Sequence, residues 1–123
     1  MTKRILIIED QEDNRAIMRD LLSTAGYALI EAVDGEEGVR LARSERPDLI
    51  LMDIQLPVLD GYEATRRIRA IADLKAVPII AVTSYALSGD EAKTREAGCD
   101  SYVAKPFSPR ELLAKVRALL PNG

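Results

Sequence analysis

The sequence predicts an α/β domain in which helices cover both faces of a doubly wound, five-stranded parallel sheet. Short β-branched runs alternate five times with longer stretches of helical periodicity. The first, third and fourth runs are continuously apolar, as strands buried on both faces are. No linker, low-complexity tract or internal repeat divides the 123 residues. We therefore expect a single domain over residues 1–123.

Each apolar run predicts a strand, and each is followed by a predicted helix. The predicted strands are 5–8, 28–33, 49–52, 78–82 and 101–104. The first helix is expected over 14–25 with Gly26 at its C-terminal end, and the third is expected to run to about residue 72. Three side chains are expected to cap the other helices at their N-termini: Asp34, Ser88 and Ser108.

Composition excludes several classes of function. The chain is 47% hydrophobic and 30% charged, with a net charge of −3, whereas a nucleic-acid-binding domain normally carries a basic surface. It has no histidine, so a histidine-based triad or metal site is excluded. Cys99 is the only cysteine, which favours a reducing, cytoplasmic location. The apolar run at Ile5–Ile8 is too short for a signal peptide or a membrane span.

Polar side chains follow four of the five predicted strands. In open parallel sheets, ligands bind beyond the carboxyl ends of the strands, so these side chains are expected to share one edge. An alternative is that polar residues only mark where strands stop and that the lysine is an ordinary solvated one. The residues are Glu9, Asp10, Asp53, Thr83 and Lys105.

The combination of charges favours a functional site over that alternative. If the strand order is 2-1-3-4-5, strands one and three are neighbours at roughly 4.8 Å, and Asp10 and Asp53 face each other. Like charges so close destabilise each other or shift a pKa unless a cation lies between them, and carboxylate oxygens with an open face suit Mg²⁺. Lys105 adds a second positive charge. A carboxylate nucleophile with two cationic stabilisers is suited to phosphoryl transfer.

These residues, with the loop that follows Asp53, resemble the receiver domains of bacterial two-component response regulators, which are CheY-like and flavodoxin-like in fold. The resemblance covers essentially the whole chain in order and spacing. Among these receivers, the sequence is most similar to single-domain cell-division regulators of the DivK type, and receivers of hybrid kinases are also similar. The residues that carry it are Glu9-Asp10, Met52-Asp53-Ile54, Pro57, Gly61, Thr83 and Lys105-Pro106.

The resemblance implies a role for each site residue. Asp53 would accept a phosphoryl group from a sensor histidine kinase or a histidine phosphotransferase. Asp10, Asp53 and the backbone carbonyl of Gln55 would bind Mg²⁺, and Glu9 would act through water. Lys105 would pair first with Asp53 and then with the phosphoryl group, whose oxygens Thr83 would also contact.

The resemblance also implies a switch and an output surface. Tyr102 would change position with Thr83. Small or variable neighbours, namely Ser84, Gln55 and Tyr85, would set phosphoryl access and lifetime. The peptide bond before Pro106 would be cis. A downstream protein would bind the face formed by helix 4, strand 5 and helix 5, and the chain is expected to be a monomer that binds neither nucleic acid nor membrane.

Two other interpretations stay open. The chain could be a receiver excised from a hybrid kinase or larger regulator, although Met1 and the short tail favour a complete protein. It could instead be a hydrolase that turns over an aspartyl phosphate. Such a hydrolase would need an acid/base near Asp53, and the residue two positions later is Gln55. We therefore expect a phosphoacceptor that assists its own phosphorylation and dephosphorylation and is not otherwise an enzyme.

Overall fold

The structure is a computed structural model that describes residues 2–84 and 90–120. Five parallel strands form one sheet in the order β2-β1-β3-β4-β5, with helices on both faces, which confirms the predicted fold class and strand order. The strands are β1 (Arg4–Ile8), β2 (Ala28–Ala32), β3 (Leu49–Asp53), β4 (Ile79–Thr83) and β5 (Ser101–Ala104). The helices are α1 (Glu12–Thr24), α2 (Gly35–Glu45), α3 (Gly61–Arg69), α4 (Asp90–Ala97) and α5 (Pro109–Leu119).

Alternating side chains along the strands build two core layers. On β1, Ile5 and Ile7 pack in the layer of α1 and α5, while Leu6 and Ile8 pack in the layer of α2 and α3. Strands β3 and β4 are buried along their whole length, whereas the edge strands β2 and β5 are partly exposed. A polar side chain at the end of β3 or β4 is therefore held in buried surroundings.

Capping side chains set the start of two helices as predicted. The Asp34 carboxylate accepts a hydrogen bond from the Glu37 N–H at 2.8 Å, and the Ser108 hydroxyl accepts one from the Glu111 N–H at 3.3 Å. The predicted cap at Ser88 lies outside the described residues.

Two helix boundaries differ from the prediction. Helix α1 begins at Glu12 rather than at residue 14, because acidic residues in a first turn are favourable to the helix dipole. Helix α3 ends at Arg69 rather than near residue 72, and a 3₁₀ helix follows at Ala72–Leu74. None of the described helices has the length and apolar character needed to cross a membrane.

The guanidinium group of Arg69 ties the end of α3 to two neighbouring segments. It pairs with the Asp100 carboxylate at 2.8 Å, and the same Asp100 oxygen accepts the Ile79 N–H at 2.8 Å. It also donates to a set of main-chain carbonyls beyond α3 and α4. Those carbonyls belong to Leu74, Lys75, Val77 and Gly98, at 2.6–3.2 Å.

Replacing Arg69 with Met should destabilise the fold strongly. The four main-chain carbonyls would all lose the guanidinium that donates to them. We therefore expect the free energy of unfolding to fall by about 2–4 kcal/mol. The matched control is Arg67→Met, which removes an exposed guanidinium paired with Glu63 and should change the value by less than about 0.5 kcal/mol. Urea unfolding followed by circular dichroism measures both. Equal losses in the two variants would contradict the anchoring role.

Cys99 is buried and packs in the core layer of α2 and α3. The residue is 8% exposed, and its thiol lies 3.8 Å from the Thr65 hydroxyl. Burial raises the pKa of this thiol to about 11, against an ordinary value of 9.0. The folded protein thus keeps the thiol protonated at a pH where the unfolded chain releases the proton.

The raised pKa predicts a pH-dependent contribution of Cys99 to stability. This contribution is fully present below pH 9 and is lost as the pH rises toward 11, because only the unfolded thiol ionises in that window. The difference in unfolding free energy between wild type and Cys99→Ala should shrink by about 2 kcal/mol between pH 8 and pH 11. Urea unfolding at both pH values measures it, and a constant difference would refute the shift.

Candidate functional site

Three carboxylates meet where β1 and β3 end. Glu9 follows β1 directly, Asp10 begins the turn into α1, and Asp53 is the last residue of β3. One carboxylate oxygen from each residue lies within 4.8 Å of the other two. Glu9 and Asp53 are 0% and 2% exposed, whereas Asp10 is exposed, so the cluster is buried but has one member in contact with solvent.

Lys105 places its ammonium group between the two buried carboxylates. Its Nζ lies 2.9 Å from Oε1 of Glu9 and 3.1 Å from Oδ2 of Asp53. Burial alone would lower the pKa of Lys105, but the contacts with Glu9 and Asp53 outweigh burial and raise that pKa above its ordinary value. The ammonium therefore stays charged. The peptide bond between Lys105 and Pro106 is cis.

The single ammonium of Lys105 does not neutralise the charge of the three carboxylates. Burial raises the pKa of Glu9; the Lys105 ammonium opposes this effect, and the Asp53 charge reinforces it. Desolvation, together with the neighbouring Glu9 carboxylate, also raises the pKa of Asp10. Both shifts are in the direction that desolvation and a neighbouring like charge produce, and a further cation would offset both causes.

The cluster fits a hard divalent cation. Oε2 of Glu9 accepts the Gln11 N–H at 3.1 Å, but within the described ranges its buried Oε1 has the Lys105 ammonium nearby and no well-oriented hydrogen bond. An under-satisfied buried oxygen beside two further carboxylates is a donor set that Mg²⁺ favours. The residues present thus suit the predicted cation.

Gln55 links the other polar residues of the site. Its side-chain amide donates to the Thr83 hydroxyl at 3.1 Å and accepts the Ser84 N–H at 3.1 Å. Its main-chain N–H donates to Oδ1 of Asp53 at 3.1 Å. Thr83 is buried at the end of β4, and Ser84 beside it is exposed. The amide bridge between the β3 and β4 loops was not predicted.

Gly61 lets the loop after β3 turn back against Asp53. A Cβ at this position would lie 2.4 Å from the Asp53 carbonyl oxygen, closer than real contacts allow. The Gly61 N–H donates to the Ile54 carbonyl at 3.0 Å, which closes the turn. The loop geometry around Asp53 therefore depends on the absence of a side chain here.

Tyr102 lies on β5, away from the carboxylates. Its ring is half-buried against the α2 and α3 layer, and Nζ of Lys115 lies 5.2 Å from the ring centroid. Lys115 also donates to the Tyr102 carbonyl. The switch role of Tyr102 stays a prediction. Tyr85, which was also named from the sequence, lies outside the described part of the chain.

Arg15 contacts the site, and this contact was not among the features predicted from the sequence. Its guanidinium donates to the main-chain carbonyl of Glu9 at 2.9 Å. The sequence does show a basic residue about one turn into the helix that follows Glu9 and Asp10. Whether the side chain of that residue reaches back to Glu9 depends on side-chain geometry.

Comparison with known proteins identifies the class. Residues 5–117 match the family model of the response regulator receiver domain. The chain therefore belongs to the response regulator receiver domain family, and it is a receiver domain of two-component signalling. This confirms the family and the general function that the sequence predicted.

Similar proteins match the chain over 97–100% of its length. The polar-differentiation response regulator DivK of Brucella ovis is 42% identical, with all of both chains covered. The receiver domain of sensor histidine kinase PA1611 from Pseudomonas aeruginosa, whose crystal structure has a magnesium ion in the active-site cleft, is 42% identical with a TM-score of 0.92, covering 99% of this chain and 100% of that one. CheY4 of Vibrio cholerae is 27% identical with a TM-score of 0.92, covering 97% and 99%.

Replacing Asp10 with Asn should weaken Mg²⁺ binding. The variant removes one negative charge and one charged oxygen from the cluster, so we expect the dissociation constant to rise at least about tenfold. The matched control is Asp13→Asn, which neutralises an exposed carboxylate on the first turn of α1 outside the cluster. Isothermal titration calorimetry measures both, and equal affinities would argue against a cation at this cluster.

Proposed function

We propose that the chain is a single-domain response regulator, with residues 1–123 forming its receiver domain, and that Asp53 accepts a phosphoryl group. The donor is a phosphohistidine on a sensor histidine kinase or a histidine phosphotransferase. The observation that carries this proposal is the setting of Asp53: a buried carboxylate that contacts the Lys105 ammonium and lies among further carboxylates suited to a divalent cation.

The transfer exchanges one bond to phosphorus for another. A carboxylate oxygen of Asp53 attacks the phosphorus, the P–N bond to the donor histidine breaks, and its electron pair leaves with the imidazole nitrogen. In such reactions the protein contributes mainly positioning and charge neutralisation. Asp10, Asp53 and the Gln55 carbonyl would hold Mg²⁺, with Glu9 acting through water, and the bound ion would supply part of that charge neutralisation.

Lys105 and Thr83 supply the remaining contacts. The ammonium that pairs with Asp53 at rest moves its pairing to the phosphoryl oxygens. The Thr83 hydroxyl, which accepts a hydrogen bond from the Gln55 amide at rest, turns to donate to another of these oxygens. The small side chain of Ser84 leaves space for the phosphoryl group. Gln55 and Tyr85 modulate its lifetime, so that the domain assists both its own phosphorylation and its own dephosphorylation.

The output follows from the movement of Thr83. Tyr102 turns inward in response and loses its contact with Lys115, which changes the face formed by α4, β5 and α5. A downstream protein that prefers the changed face shifts the population toward it. Phosphorylation adds roughly −1.5 to −2 charges, and this provides the free energy for the shift. The domain acts as a monomer in this scheme.

Phosphorylation with a small-molecule donor tests the acceptor directly. With acetyl phosphate and Mg²⁺, wild type should gain the mass of one phosphoryl group, whereas Asp53→Asn should gain none because it lacks the nucleophile. Asp73→Asn, at an exposed carboxylate paired with Arg46, is the control and should be labelled like wild type. Intact-protein mass spectrometry with and without EDTA measures occupancy.

Two results would contradict the proposal. Equal labelling of Asp53→Asn and wild type would place the acceptor elsewhere. Rapid, continuous release of inorganic phosphate from phosphoesters would instead support an aspartyl-phosphate hydrolase. The structure gives that alternative little support, because the amide of Gln55 has no titratable proton and is engaged with Thr83 and Ser84.

A further inference from the structure

We propose that Arg15 is a positioning residue for the Mg²⁺ site, holding the turn that carries Glu9 and Asp10 against the edge strand β2. This inference deepens the proposed function and depends on Mg²⁺ binding at the acidic cluster. Arg15 touches none of the three carboxylates through the contacts described above. It acts on the main chain from which two of them project.

The Arg15 guanidinium makes three different contacts from one largely buried position. It donates to the Glu9 carbonyl at 2.9 Å and to Oε1 of Glu31 on β2 at 3.2 Å, and it pairs with the Glu12 carboxylate. Its side chain is only 12% exposed. A planar guanidinium with five donors can serve these acceptors together, and a lysine ammonium cannot reproduce that geometry.

These contacts hold the turn that carries Glu9 and Asp10 at a second point. The Glu9 N–H already donates to the Ala32 carbonyl of β2 at 3.0 Å, so the amide side of Glu9 is fixed to the edge strand. Arg15 fixes the carbonyl side to the same strand, through Glu31. The Glu9 carbonyl belongs to the peptide that joins Glu9 to Asp10, and a displacement of this peptide would move both carboxylates. Restraining that peptide therefore preserves the spacing of the cluster.

Arg19 provides an internal comparison one helical turn later. It contacts the same two carboxylates, Glu31 at 2.9 Å and Glu12 at 3.1 Å. In the described residues it makes no hydrogen bond to the Glu9 carbonyl, and its side chain is 38% exposed. Arg15 and Arg19 thus carry the same charge and share two carboxylate partners, and they differ in burial and in the contact with the turn.

Charge and positioning predict opposite effects of removing Arg15. A guanidinium near the acidic cluster repels Mg²⁺, so its loss would by charge alone leave the affinity unchanged or increase it. If Arg15 positions the turn, its loss should decrease the affinity, because the carboxylates no longer keep their spacing. The direction of the change therefore separates the two effects.

The experiment is Mg²⁺ titration of the full chain by isothermal calorimetry, with wild type, Arg15→Met and Arg19→Met at a temperature where each is folded. We expect Arg15→Met to raise the dissociation constant at least about tenfold, as loss of supporting residues around metal ligands does. Arg19→Met should stay within about twofold of wild type. Amide shifts of residues 9–11 in metal-free samples should change in Arg15→Met and not in Arg19→Met.

Several outcomes would overturn the inference. Arg15→Met binding Mg²⁺ as tightly as wild type, or as tightly as Arg19→Met, would do so. If Arg15→Met does not fold, Arg15→Lys and Glu31→Gln take its place; weaker binding in both supports the positioning role, and wild-type affinity in both refutes it. A wild type that binds no Mg²⁺ would refute the proposed function itself, which is a separate and distinguishable result.

Discussion

The functional site of this molecule depends on holding buried carboxylates close together at the carboxyl ends of the central strands β1 and β3. Glu9 and Asp53 are almost fully buried there, and the ammonium of Lys105 touches both. Two buried carboxylates without a cation would either take up protons or destabilise the fold. Lys105 offsets part of the repulsion between the carboxylates. Burial, together with the repulsion that remains, raises the pKa values of Glu9 and Asp10, and both effects favour binding of a further cation.

The parallel sheet explains why so much of this site could be predicted from the sequence. All strands of such a sheet end on one edge, so the residue after each apolar run identifies a neighbour in space. Glu9, Asp10, Asp53 and Lys105 are brought together for that reason, and the order of the strands puts β1 beside β3. Backbone direction and periodicity place these residues at the same end of the sheet, and the strand order then makes β1 and β3 neighbours.

Contacts that depend on side-chain reach could not be predicted in this way. The bridge from Gln55 to Thr83 and Ser84 joins two loops, and the reach of Arg69 to four carbonyls depends on where the chain turns after α3. Arg15 is similar, because its partners lie on α1, β2 and the turn between β1 and α1. Periodicity places a residue on a helix face but does not select among several acceptors within reach.

The resting contacts of the site are weak enough to be exchanged. The hydrogen bond between Gln55 and Thr83 joins two neutral groups and contributes about 1 kcal/mol, whereas a hydrogen bond from Thr83 to a charged phosphoryl oxygen is about twice as strong. The cation–π contact between Lys115 and Tyr102 is of comparable size to the neutral hydrogen bond. In the proposed mechanism, the stronger bond turns the Thr83 hydroxyl toward the phosphoryl oxygen, and the weak bond that Thr83 accepts from Gln55 does not prevent this rotation.

The most direct test of the account is the position of a bound divalent cation. A crystal soaked in Mn²⁺, a substitute for Mg²⁺ that is visible by anomalous scattering, would locate it. The account predicts one strong peak among the carboxylates of Glu9, Asp10 and Asp53, with Lys105 still against Asp53. A structure in which these carboxylates keep their places and Mn²⁺ binds only elsewhere would contradict it.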